Sequence, residues 1–317
     1  MGIRGLNTYF KKHASSESIK KVPVSFFKGK TLVVDTSIYL YKFLEDGCLL
    51  ENMYSFVTQC ILEKITLLFV FDNKPNEIKY QEVLKRSQKR MDACNKYIEL
   101  EESYQEMQDE MSEFEKQEML YKIEGFKKKA IRVKEKHIEK VKQLLDALNV
   151  YYCDAPEEAD VVCSYFVDRG IAWACISDDM DMFAYGCKRV IRDWSFQHKN
   201  AVLYDLALIC NDIKVPFSNL QSVLLLLGND YINTKLRLEI VIKWFRDYHK
   251  ESTELSFYDW ILKQNYIKNE KMKKLVEIQN VYEVPAVMIL KKMPNAKKKA
   301  DINLLHSILS PYGFIFI

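Results

Sequence analysis

The sequence predicts an α/β fold with a mostly parallel central sheet flanked by helices. Three observations lead there. Short apolar runs that end in acids recur, at residues 30–35 (KTLVVD) and 65–72 (ITLLFVFD). Helical patterns lie between such runs, most clearly at residues 137–148. Glycine and proline are scarce, 9 and 7 in 317 residues, which suits a compact, helix-rich chain. Strands that alternate with helices feed a parallel sheet covered on both faces.

Further short strands are expected at residues 150–153, 171–176 and 188–194, the second followed at once by Ser-Asp-Asp-Met-Asp. The best apolar runs, 65–71 and 223–227, read as a buried strand and a core helix and are too short to cross a bilayer. The N-terminus MGIRGLNTYFKK carries no apolar signal region, and Leu6 occupies the Ser/Thr position of a myristoylation motif. The 8 cysteines are scattered without a CxxC pair, which points to reduced thiols in a reducing compartment. A net charge of +3 is too small to diagnose a nucleic-acid partner, so any basic surface must be local.

Two segments break the pattern. Residues 97–114 place Tyr97, Leu100, Tyr104, Met107, Met111 and Phe114 at heptad spacing, on a helix otherwise dense in acids from Glu99 onward to Glu118. The charge then inverts through Lys127, Lys128, Lys129, Arg132, Lys134 and Lys136. With Gly125 as the break, this reads as a helical hairpin inserted at about residues 79–136, one arm acidic and one basic. The apolar stripe packs on the second helix or meets a protein partner. The other odd segment is the tail, with basic clusters at Lys271, Lys273 and Lys274, at Lys291 and Lys292, and at Lys297, Lys298 and Lys299.

The acids carry the chemistry. Asp35 and Asp72 end strands, Glu158 and Asp160 lie two apart in APEEADV, Asp179 and Asp181 two apart in SDDMDMF, and Asp230 follows at LLGND. In a parallel sheet the carboxyl ends of the strands are where ligands bind. Several carboxylates converging there suit hard divalent cations, and a pair of cations suits phosphodiester hydrolysis. Lys79, Arg86 and Arg90 recur on one predicted helical face, with Lys85 and Lys89 alongside.

The segments MGIRGLNTYF, VVDTSIYLY, VFDNKP, DAPEEADVVC, SDDMDMFAYG and LLGNDY occur in this order. Together they resemble the motifs of the flap endonuclease superfamily of XPG-type 5′ nucleases, over roughly residues 1–235. The resemblance implies a PIN-like nuclease core at 1–235 with the insertion as a helical arch. Residues 236–317 would form a C-terminal helical element, resembling a helix-two-turn-helix, that packs on or continues the core. It also implies two Mg²⁺ or Mn²⁺ ions, the first served by Asp35, Asp72, Glu158 and Asp160 and the second by Asp179, Asp181 and Asp230. Lys79 and Arg86 match residues that contact the scissile phosphate, Tyr41 an aromatic on which a terminal base stacks, and Gly2 a residue whose amide lies by the active site. Lys85, Lys89, Arg90, Lys128, Lys129 and Arg132 are expected to bind nucleic acid.

The chain departs from the family pattern after LLGND, where YINTKLRLEI lacks the Gly-Ile-Gly turn that binds potassium and downstream duplex. No sliding-clamp motif stands in the tail. The expected function is structure-specific cleavage of flapped or branched DNA in replication, repair or recombination. An endoribonuclease on the same fold and a non-catalytic scaffold are the alternatives. The expected location is intracellular: the nucleus or, for a viral chain, a cytoplasmic replication site. A Lys-, Ile- and Asn-rich composition suits an A+T-rich genome.

Overall fold

A computed structural model describes residues 2–73, 79–229, 231–232, 234, 236–284 and 300–314. Its sheet has seven strands: β1 (Ile19–Pro23), β2 (Thr31–Asp35), β3 (Thr66–Phe71), β4 (Tyr151–Asp154), β5 (Ala174–Ile176), β6 (Arg189–Ser195) and β7 (Asn200–Asp205), in the spatial order β1-β7-β6-β5-β2-β3-β4. Strands β6, β5, β2, β3 and β4 run parallel; β7 is antiparallel to β6, and β1 to β7. The mostly parallel sheet is therefore as predicted, with two additional strands at one edge.

Side chains alternate across a strand, so each central strand feeds two cores. Leu32, Val34, Phe69, Phe71 and Ile176 enter one, with α2 (Thr36–Glu45), α3 (Leu49–Leu62) and α6 (Glu135–Ala147). Val33, Leu68, Val70 and Cys175 enter the other, with α1 (Leu6–His13), α7 (Ala159–Asp168), α8 (Leu206–Ile213) and α9 (Phe217–Leu225). Burial on both faces explains why these strands are apolar throughout.

The C-terminal segment divides between the cores. Helices α10 (Leu238–Lys250), α11 (Phe257–Lys263) and α12 (Asn269–Val281) continue the core shared with α7 to α9, through Val241, Phe245, Trp260 and Leu275. Helix α13 (Ile302–Leu309) crosses to the other side and lays Leu305 and Leu309 into the core shared with α6. Burying each such side chain contributes ~1.5–3 kcal/mol, so the segment is integral to both layers. The basic positions Lys291, Lys292, Lys297, Lys298 and Lys299 lie outside the described residues.

The inserted hairpin consists of α4 (Tyr80–Met107) and α5 (Glu113–Ala130). Gly125 is not the break: it lies inside α5, and the chain turns at residues 108–112. Ser112 starts α5 with a capping box, its hydroxyl accepting from the Glu115 amide while the Glu115 carboxylate accepts from the Ser112 amide. The division into an acidic and a basic arm is corrected with it. Glu99, Glu101, Glu102 and Glu106 end α4, and Glu113, Glu115 and Glu118 begin α5, so the acids gather at the tip. Lys85, Arg86, Lys89 and Arg90 near the start of α4 and Lys127 to Lys129 at the end of α5 make the root basic. The apolar stripe is cut by the same turn. Tyr97, Leu100 and Tyr104 are half-buried, whereas Met107 and Phe114 are exposed.

Candidate active site

Parallel pairing aligns the carboxyl ends of β5, β2, β3 and β4, adjacent in that order, along one edge of the sheet. Each delivers acids there. Asp35 is the last residue of β2, and Asp72 follows β3. Beyond β4 the chain reaches Glu158, which precedes α7, and Asp160 in its first turn. Beyond β5 come Asp179 and then Asp181, which opens a short helical turn, Asp181–Phe183.

An acid at a strand-to-helix junction is most often a helix cap. Glu158 holds the cap position of α7, but its side chain makes no capping hydrogen bond. That service comes from Asp72, whose Oδ1 accepts from the Ala159 amide at 2.7 Å while its Oδ2 accepts from Ser37 Oγ. Ser177 Oγ donates to Asp35 Oδ2 at 3.0 Å and accepts from the Asp179 amide at 3.1 Å. Asp179 Oδ1 accepts from the Asp181 amide at 2.9 Å. These bonds tie the four strand ends into one loop cluster. Asp178 faces elsewhere, its Oδ1 accepting from the Asp193 amide at 2.8 Å.

The carboxylates disturb one another. Asp35 is 4% exposed, and burial, then the neighbouring charges of Asp72 and Asp179, push its carboxyl up to about 8. Burial, then Asp35, Asp179 and Asp72, hold Asp160 well above the usual carboxylate range. Burial raises the Asp72 carboxyl as well, although its outer face is exposed. Groups that resist ionising together favour a cation between them. An all-oxygen donor set suits a hard divalent ion. Among the described residues, no three such side chains stand as a ready-made coordination shell. Asp230 lies outside the described residues.

Gly2 is fitted against this cluster. A Cβ there would stand 2.1 Å from Asp179 Oδ1 and 2.7 Å from the Asp181 amide nitrogen, and its φ of +81° is strained for any other residue. Gly2 thus lies against Asp179 and Asp181.

Lys79 immediately precedes the helix that carries Arg86 and Arg90. It stands at the N-cap of α4, and its Nζ pairs with Glu158 Oε1 at 2.9 Å. Arg86 lies half-buried on α4, with Nε 3.5 Å from Glu82 Oε1. Arg90 donates from Nε to the Arg86 carbonyl at 3.2 Å and from Nη1 to the Tyr41 hydroxyl at 2.6 Å. Tyr41 is half-buried, unlike its core neighbours Tyr39 and Phe43, and its ring lies 5.8 Å from the Arg90 guanidinium. Lys85, Lys89, Lys128, Lys129 and Arg132 are exposed at the hairpin root.

Two tyrosines of the site were not singled out in the sequence. Tyr231 donates to Glu158 Oε2 at 3.1 Å and Tyr185 to the same oxygen at 3.3 Å. Tyr231 is placed by the turn after α9. Gly228 has φ +87°, and a Cβ there would meet the Thr234 amide nitrogen at 2.8 Å. Asn229 Oδ1 accepts from the amides of Tyr231 and Ile232 at 2.9 and 3.1 Å, and Thr234 Oγ1 donates to the Leu226 carbonyl at 2.6 Å. Gly228 and the side chains of Asn229 and Thr234 thus fix the chain where it presents Tyr231.

Two family models match the chain, the XPG N-terminal domain over residues 1–93 and the XPG I-region over residues 149–230. Flap endonuclease 1 of Xenopus tropicalis is 29% identical over 252 residues, covering 74% of this chain and 62% of the relative. The chain thus spans about three fifths of the length of that curated relative. The catalytic core of Rad2 in complex with a DNA substrate superposes with a TM-score of 0.67 at 19% identity, over 98% of this chain and 95% of that one. Human GEN1 bound to Holliday junction DNA gives 0.65 at 16% identity, over 99% and 74%. Those structural likenesses carry the fold, and the matched segments carry the acids and the Gly2 loop that meet at the strand ends. The chain belongs to the XPG-type 5′ nuclease superfamily.

Proposed function

We propose that this chain is a divalent-cation-dependent nuclease that hydrolyses phosphodiester bonds in flapped or branched DNA near a free 5′ end. One observation carries the reading: four neighbouring parallel strands deliver acids to a single edge, beside Lys79. The named substrates of the relatives, a flap, a DNA substrate and a Holliday junction, support DNA over RNA.

Asp35, Asp72, Glu158 and Asp160 would hold one Mg²⁺ or Mn²⁺ ion, and Asp179, Asp181 and Asp230 a second. When bound, such ions supply an activated water and stabilise the leaving oxyanion. The chain's own residues supply position and charge. Lys79 and Arg86 face the phosphate as it gains charge, a contribution that shows in turnover more than in affinity. Lys85, Lys89, Lys128, Lys129 and Arg132 attract backbone phosphates to the hairpin root.

End-labelled flap, nicked and four-way-junction DNA and single-stranded RNA, each with Mg²⁺ or with EDTA, test the reading. Cleavage of a branched DNA that needs Mg²⁺ and is lost in Asp179→Ala supports it. Cleavage of RNA alone, or of no substrate, overturns it.

A further inference from the structure

Glu158 is held more firmly than a cation ligand alone requires. Its Oε1 takes Lys79 Nζ at 2.9 Å, and its Oε2 takes the hydroxyls of Tyr231 at 3.1 Å and Tyr185 at 3.3 Å. A carboxylate offers about four acceptor positions, so three are in use and the group is fixed in one orientation. The Lys79 ammonium also lies 5.6 Å from the Tyr231 ring centroid.

The two tyrosines come from different segments and meet a third. Tyr185 follows the turn Asp181–Phe183, and Tyr231 follows α9. Tyr282 ends α12, 1% exposed, with its ring 4.5 Å from that of Tyr185 and 5.6 Å, nearly edge-on, from that of Tyr231. Gln221 on α9 locks the arrangement: its Nε2 donates to the Ala184 carbonyl at 3.1 Å and to the Tyr282 carbonyl at 3.2 Å. One amide therefore binds the backbone beside Tyr185 and that of Tyr282 itself.

We propose that Tyr185, Tyr231 and Tyr282 are positioning residues that clamp Glu158 and Lys79 in register, and that the C-terminal helices act on the candidate active site through Tyr282. The proposal rests on the nuclease reading above and deepens it. Simple core filling does not account for the cluster. A buried hydroxyl is costly unless partnered, and phenylalanine would fill the same space without that cost. Here two hydroxyls spend their bonds on one carboxylate oxygen. A donor behind a cation ligand fixes that ligand's orientation, and its loss typically costs ~10–100-fold in cation affinity or turnover. Tyr282 touches neither Glu158 nor Lys79 through any of these hydrogen bonds; it holds the two rings that carry the hydroxyls.

The test uses the full chain with Tyr185→Phe, Tyr231→Phe, the double variant, Tyr282→Leu and Tyr282→Phe. Three quantities are read: Mn²⁺ binding by calorimetry without DNA, affinity for a flap DNA in EDTA, and the single-turnover rate at saturating DNA and Mg²⁺. The double Phe variant should lose ~10–100-fold in Mn²⁺ affinity and in rate, with DNA affinity within about twofold of wild type. Tyr282→Leu should lose in the same two readouts, and Tyr282→Phe, which keeps the ring, should recover them. In a Glu158→Gln background the two Phe substitutions should cause little further loss of Mn²⁺ affinity, because their target is gone. A double Phe variant with wild-type Mn²⁺ affinity and rate overturns the clamp, as does a Phe effect of full size in the Glu158→Gln background. Calorimetry decides this even if wild type cleaves no DNA offered to it, an outcome that would overturn the nuclease reading alone.

Discussion

Removing one carboxylate from the cluster should stabilise the protein when divalent cations are absent. Asp35→Asn is the sharpest case, since Asp35 is 4% exposed and burial with its acidic neighbours lifts its carboxyl from 3.8 to about 8. A carboxyl raised in the folded state holds its proton there after the unfolded chain has released it. Its contribution is therefore fully present below about pH 4 and is lost as pH rises towards about 8. At ~1.4 kcal/mol per tenfold change in proton affinity, the loss reaches about 4 kcal/mol at pH 7. That figure is an upper bound, because water and monovalent cations entering the cluster soften the repulsion. Urea unfolding in EDTA at pH 5, 7 and 8.5 measures it. Wild-type stability should fall across this range, Asp35→Asn should flatten the fall, and the variant should be the more stable at pH 8.5. Mg²⁺ should restore wild type far more than the variant, because a cation favours the ionised forms. A variant less stable than wild type at pH 8.5 in EDTA, or a wild type indifferent to pH, would refute the claim that these acids strain one another.

Gly2→Ala should lower single-turnover cleavage by more than ~100-fold with only a small change in melting temperature, since its Cβ would strike Asp179 Oδ1 at 2.1 Å while the fold is built elsewhere. A cleavage rate near wild type would show that the N-terminal loop is free to retreat. Arg86→Ala should reduce the saturating rate by ~100-fold and leave DNA affinity within about threefold, as expected of a group that meets charge developing on the phosphate. A loss confined to affinity would make it an ordinary phosphate contact. Neutralising Lys128, Lys129 and Arg132 together should weaken binding and flatten the slope of log affinity against log salt by roughly 2–3. Changing Glu106, Glu110 and Glu113 to Gln should leave cleavage near wild type in the same titration, and loss of activity there would give the acidic tip a role in the reaction.

The central strands and their terminal acids were legible because burial on both faces writes a continuous apolar run, and a parallel sheet sends every such run to the same edge. The strands β1 and β7 were not. β1 is an edge strand carrying Lys20, Lys21 and Pro23, residues that blunt an edge and dilute any strand pattern. The hairpin turn was misplaced because Gly125 suggests a break, yet on a two-helix arm it costs only ~1 kcal/mol. The true signal was present as Ser112 followed by Glu115, the spacing of a capping box. Tyr185 and Tyr231 stood inside the quoted motifs, but nothing local says that their hydroxyls reach Glu158. That knowledge needs the packing of α9 and α12, which no short-range periodicity encodes. The pairing of Lys79 with Glu158 was hidden for the same reason.

The corrected hairpin changes what its charges do. Because α4 and α5 run antiparallel, Tyr97 faces Glu124 while Lys116 faces Tyr104 and Asp109, so sequence distance from residue 110 becomes depth below the tip. Helix α4 has 28 residues, roughly 42 Å at ~1.5 Å per residue, so the tip stands several Debye lengths from the basic root. Each end then acts on its own surroundings. Phosphates that approach the tip are repelled, and those near the root meet Lys89, Arg90, Lys128 and Lys129, on the side of the chain that leads to Lys79. The gradient favours a polyanion low on the hairpin, at the edge where the carboxylates gather. Among the described residues the two helices pack extensively only on each other, and Ala93 and Ile123 are the buried residues of the pair. With so little apolar burial the hairpin is among the less stable parts of the molecule, able to shift without disturbing the sheet. In the proposed function, the hairpin would steer a polyanion to its root through charge placement along its length rather than through a contrast between its arms.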